Sequence, residues 1–209
     1  MSISKSIIGI DFDNTIACYD HLFTEVVPEF GGPKMSTRQS KRRVREIVRR
    51  LPHGEEKWQR IQAEVYGPRM HLAELYPGVR DFLETCYNRD VAVYLISHKT
   101  EHATLGNHDV NLRAEALNWM SAKKIITATG PGLRPDNIYF ECTREQKIAR
   151  IFELGCTHFI DDLVEVLDHA DFPTATERIL FTPGERSITG HSFPAIASWH
   201  EIQGALFND

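Results

Sequence analysis

Cysteine is scarce and scattered: the four in this 209-residue chain, Cys18, Cys86, Cys142 and Cys156, form no C-x-x-C pair. Such spacing supports neither a zinc ribbon nor a disulfide framework, and it fits reduced core residues of an intracellular protein. Long hydrophobic runs are missing as well, and none approaches the roughly 18 residues of a membrane span. The amino-terminal M-S-I-S-K-S-I-I-G-I has an apolar patch too short for a secretory leader, and Asp11 ends it. There is no internal repeat and no low-complexity linker. A soluble, cytoplasmic protein without a membrane partner is the expectation. Hydrophobic residues at 42% and charged residues at 25% lie near the globular average, which excludes wholesale disorder.

Acid outweighs base, with a net charge of −5, but the mean hides an asymmetry. Between residues 34 and 50 stand eight basic residues and one acid, Glu46, a local +7 that leaves −12 on the rest. A general anion-binding surface is excluded; one confined to that segment is not.

Five short apolar stretches read as buried strands: 7–12, 91–97, 124–128 or 138–140, 158–160, and 178–182. Between them, Val79, Phe82, Leu83 and Cys86 share a helical face, as do Leu112, Ala116, Trp119 and Met120, and then Ile148, Ile151 and Phe152. Thr143 and Gln146 have capping-box spacing, with Gly155 as the stop. This alternation predicts an α/β fold with a doubly wound parallel sheet. Residues 19–76 break the pattern. They hold no convincing strand but two amphipathic helices, one lined by Val44, Ile47, Val48 and Leu51, the other by Trp58, Ile61 and Val65. Pro28, Pro33, Pro52, Pro68 and Pro77 punctuate the segment. A helical unit over 19–76 is therefore expected within a core of 1–18 and 77–209.

The first strand runs into D-F-D-N-T, bringing Asp11, Asp13 and Thr15 to the strand end, where doubly wound sheets bind ligands. Alone, this is an aspartate-rich turn. The second strand, however, ends at Ser97, His98 and Lys99; Lys147 stands early in the helix after Thr143; and the next strand closes on Asp161 and Asp162. Adjacent aspartates ending an apolar strand are costly unless a cation or donors meet them. The combination describes a site for a dianion and a hard cation such as Mg2+.

In this order the motifs resemble the haloacid dehalogenase (HAD) superfamily of phosphohydrolases, with L-Y-P-G-V at 75–79 resembling its re-entry from an inserted cap. The resemblance implies a Rossmann-like HAD core, a small α-helical cap and a phosphatase that uses magnesium. It implies that Asp11 is the nucleophile, forming an aspartyl-phosphate, and Asp13 the acid and base. Ser97 and Lys147 would hold phosphoryl oxygens, with Thr15, His98 and Lys99 also facing substrate. Asp11, Asp13, Asp161 and Asp162 would bind the metal. Asn14 departs from the glycine common in D-x-D-G-T. Lys99 competes with Lys147 for the motif lysine, and Lys147 is preferred for its place before the acidic strand end; Lys123 and Lys124 are weaker candidates.

The expected substrate is a small phosphorylated metabolite, with a sugar phosphate as one class. Phosphomutase or phosphotransferase chemistry shares these motifs. Dehalogenase chemistry is disfavoured, since it needs neither metal nor second acid. The basic stretch reads first as the solvated face of a helix and second as a device steering anionic substrates. Nucleic acid is not the expected partner, because no aromatic falls within the run. A binding or regulatory protein with vestigial motifs is the reading from another class. His98, His102 and His108 match no helix face and have no cysteine beside them, so zinc is not expected. Cys18 reads as packing. Oligomeric state is not legible.

Overall fold

The computed structural model describes residues 6–105, 109–184 and 192–207. Two compact units emerge: one of Met1–Ala17, Leu75–Lys99 and Ser121–Asp209, the other of Cys18–Glu74 and Thr100–Met120.

In the first unit, β1 (Ile7–Ile10) opens the sheet. The extended run expected to reach residue 12 stops earlier, because the Phe12 carbonyl accepts hydrogen bonds from the backbone N–H groups of Thr15, Ile16 and Ala17 and bends the chain. The chain leaves through β2 (Ala17–Cys18) and, after the second unit's first segment, returns through β3 (Glu74–Leu75). β3, paired with β2, corrects the expectation that 19–76 is free of strand. Next come α4 (Val79–Asn88), β4 (Ala92–His98), β5 (Ile138–Glu141), α6 (Arg144–Glu153), β6 (His158–Asp161), α7 (Val164–Leu167), β7 (Glu177–Phe181), β8 (Ala195–Ile196) and α8 (Trp199–Phe207). The sheet order is β5-β4-β1-β6-β7-β8, its pairings are parallel, and helices flank it.

Of the two alternatives for the third strand, 138–141 is the strand. Residues 124–128 make a single bridge between Ile126 and Leu133, and Lys124 turns the chain at φ +55. The expected α6 face is also corrected: Ile148 and Ile151 are buried in the core with Phe159 and Leu180, but Phe152 is 73% exposed. Re-entry at 75–79 depends on Gly78. Its φ of +87 is costly for side chains, and a Cβ there would stand 2.9 Å from that of Trp199.

In the second unit, α1 (Asp20–Val26), α2 (Lys41–Arg49) and α3 (Gly54–Tyr66) pack around aromatics. Phe23 stacks on Trp58 with ring centroids 5.1 Å apart, and Tyr66 meets both Tyr19 and Phe23 edge-on. On α5 (Leu112–Ala122), Trp119 donates its indole N–H to the Ala73 carbonyl at 2.9 Å. Val44, Val48, Trp58, Ile61 and Val65 are buried, whereas Leu51 lies past the end of α2. The basic stretch is partly neutralised by Arg49–Glu55, Arg43–Glu46 and Arg38–Glu74 pairs. Among the described residues no helix is long and apolar enough to cross a membrane; the first five residues lie outside that set.

Candidate active site

Strands β4, β1 and β6 are neighbours, and parallel pairing brings their carboxyl ends to one edge. The order reverses at β1, with β4 and β5 to one side and β6, β7 and β8 to the other, so this edge is a topological switch point, where such sheets bind ligands. Asp11 lies just past β1, tied by its backbone N–H to the Ile160 carbonyl at 2.9 Å. Ser97 and His98 end β4, and Asp161 ends β6.

Lys147 joins two of these ends. The Thr143–Gln146 capping box forms as expected and sets the first turns of α6, from which Lys147 Nζ donates to Asp11 Oδ1 and to Asp161 Oδ2, each at 2.6 Å. Lys147 is 1% exposed. Burial alone would weaken its hold on a proton, but Asp11 and Asp161 outweigh that and keep it an ammonium. Burial likewise pushes the Asp161 carboxyl up to about 7; Lys147 pulls it back, while Asp11 and Asp162 add to the rise. Lys147 is thus the lysine that reaches Asp11.

Lys99 goes elsewhere. Its Nζ lies 2.9 Å from Asp13 Oδ2 and 3.2 Å from Oδ1, with a side chain only 2% exposed. Both candidate lysines serve the site, on different aspartates.

Asp11, Asp161 and Asp162 each offer an oxygen, all within 4.8 Å of one another. The donors are carboxylates alone, which suits a hard cation, and four site carboxylates against two ammonium groups leave negative charge for one to offset. The buried Thr15 Oγ1 has no hydrogen-bond partner among the described residues, and neither has the Asn14 amide. Asn14 adopts φ +63, the left-handed conformation that favours glycine and that asparagine tolerates, so its replacement of glycine costs little. His98 is exposed; its Nε2 donates to the Cys142 carbonyl at 2.9 Å, and partial burial, with help from Lys147 and Arg144, holds its imidazole below the usual range. His102 bonds instead to the Val110 carbonyl, and His108 lies outside the described residues.

One contributor was missed in the sequence. Trp199 donates its indole N–H to the Thr15 carbonyl at 3.0 Å and braces the loop after β1 from 184 residues away, a distance that leaves no local signal. Burial pushes the Cys86 and Cys156 thiols up to about 12, Cys18 is buried and accepts a hydrogen bond from Arg38, and Cys142 is exposed.

No family model matches the sequence, and no curated protein does. Solved structures do match. A HAD-like hydrolase from Streptococcus pneumoniae superposes with TM-score 0.63 at 16% identity, over 97% of this chain and 98% of that one. A HAD-family hydrolase from Deinococcus radiodurans R1, with bound phosphate and sodium, gives 0.59 at 12%, over 97% and 95%. A predicted phosphoglycolate phosphatase from Haemophilus somnus gives 0.57 at 11%, over 98% and 100%. The chain has the fold of the HAD-superfamily hydrolases.

Proposed function

We propose that this protein is a HAD-type phosphoric monoester hydrolase, dependent on magnesium, that cleaves a small phosphorylated metabolite through an aspartyl-phosphate on Asp11. The observation that carries the reading is Lys147, buried and 2.6 Å from both Asp11 and Asp161, beside a cluster of three carboxylates at the switch point. The bound phosphate of the Deinococcus hydrolase and the predicted activity of the Haemophilus protein support the same substrate chemistry.

In this reading the Asp11 carboxylate attacks phosphorus. The bond from phosphorus to the leaving oxygen breaks, its electron pair stays on that oxygen, and Asp13 supplies the proton. Asp13 then takes a proton from the water that attacks phosphorus, the bond to Asp11 breaks, and phosphate leaves. Lys147 offsets the charge around Asp11, while the Thr15 and Ser97 hydroxyls hold phosphoryl oxygens. His98 faces the remainder of the substrate. Magnesium, held by Asp11, Asp161, Asp162 and the Asp13 main-chain carbonyl, would supply positive charge against the phosphoryl oxygens. Residues 19–76 serve as the cap, a sugar phosphate is one substrate class, and the protein acts in the cytoplasm.

Hydrolysis of p-nitrophenyl phosphate with magnesium, and again with excess EDTA, tests the proposal. The expected result is release that needs the metal and vanishes in Asp11→Asn, with an unchanged circular dichroism spectrum. Activity retained by Asp11→Asn would remove the nucleophile assignment.

A further inference from the structure

We infer that Lys99 is the positioning residue for Asp13 rather than a ligand of the phosphoryl group, an inference that rests on the phosphohydrolase reading above. Lys99 is fixed at both ends. Its backbone N–H donates to the Glu141 carbonyl at 2.9 Å, tying it to the end of β5, and its Nζ lies 5.6 Å from the Phe12 ring centroid. From there the ammonium meets both oxygens of Asp13, at 2.9 and 3.2 Å. Exposure decides the direction of the arrangement. The Lys99 side chain is 2% exposed and that of Asp13 is 14%, so the lysine lies beneath and the carboxylate is what solvent and substrate meet.

A carboxyl group contacted at both oxygens loses its freedom to rotate, and when Asp13 carries the proton it donates, one oxygen keeps the Lys99 contact while the other presents the proton. Asp13 must reach the leaving oxygen in one half-reaction and water in the next. Holding a proton-transfer group in place is worth as much as the group itself when misplacement removes the transfer. Lys147 cannot supply this hold, since its Nζ is committed to Asp11 and Asp161.

A residue acting through the acid should matter most where the leaving oxygen most needs a proton. The test compares wild type, Lys99→Met, Asp13→Asn and the double variant on benzyl phosphate and on p-nitrophenyl phosphate, whose leaving oxygen departs readily unprotonated. Lys99→Met is expected to lower kcat on benzyl phosphate by about 100-fold, with a far smaller loss on the nitrophenyl ester. KM and inhibition by inorganic phosphate should change little. In the Asp13→Asn background the same substitution should add almost nothing. Equal losses on both esters, weaker inhibition by phosphate, or additive losses in the double variant would each overturn the inference and make Lys99 a phosphoryl ligand. Should Lys99→Met fail to fold, as judged by circular dichroism, Lys99→Gln, one atom shorter, keeps a donor without the charge and is read in the same way. Absence of magnesium-dependent hydrolysis of either ester by wild type would instead overturn the phosphohydrolase reading itself.

Discussion

Lys147 spends its one charge on two carboxylates, and both are buried with it. Removing it would leave Asp11 and Asp161 as like charges in a poorly solvated place. Lys147→Met should therefore cost stability as well as rate, about 3–5 kcal/mol by urea denaturation in EDTA. Its turnover of p-nitrophenyl phosphate should fall by about 100-fold or more. A variant as stable as wild type would mean that the carboxylates find other relief. The residues that come together here, Asp11, Asp13, Ser97, Lys147 and Asp161, were legible because each stands at the end of an apolar run or a capped helix, and those boundaries are local. Placement before the acidic strand end favoured Lys147 over Lys99 in sequence, but nothing in the sequence marked Lys99 as a partner of Asp13. Only distances between side chains assign one to Asp11 and the other to Asp13.

Among the elements, α6 does the most for the site, because its amino-terminal turns carry Lys147. Its start is written in Thr143 and Gln146, whose side chains satisfy backbone N–H groups that the helix leaves open. Thr143→Ala should lower stability by about 1 kcal/mol in thermal or urea unfolding. If it is neutral, the box is ornamental. Helices with strong periodicity, such as those holding Val79 to Cys86 and Trp58 to Val65, could be read directly. Phe152 could not: its spacing admits either the edge of the buried face or solvent, and the neighbouring elements decide. The two-residue strands β2, β3 and β8 were invisible because so short a stretch has no period. The apolar stretch at 124–128 looked like a strand, but a parallel sheet needs a partner at the right register, and β5 took that place beside β4.

Taken whole, the molecule divides into an α/β unit carrying every candidate site residue and a second, largely helical unit carrying the +7 segment. The grouping of residues 100–120 with the second unit had no mark in composition or turn signals; it follows from contacts such as that of Trp119 with Ala73. A cation that binds only the folded carboxylate cluster must raise the stability of the entire cooperative unit. At magnesium about 100-fold above its dissociation constant the gain should be about 2.7 kcal/mol. It should be seen as a rise of a few degrees in Tm, reversed by EDTA and lost in Asp162→Asn. An unchanged Tm would count against a magnesium site at Asp11, Asp161 and Asp162.

The contact between Lys147 and Asp11 spans 136 positions, and that between Trp199 and Thr15 spans 184. Closing loops of that length is entropically slow, and no local segment can do it early. During refolding, far-ultraviolet ellipticity and burial of the helical faces can recover while the loop that carries Asp11 and Thr15 still lacks its distant partners. For the phosphohydrolase proposed above, turnover would report the docking of these distant partners, and a population lacking them would be structured by spectroscopy yet chemically silent.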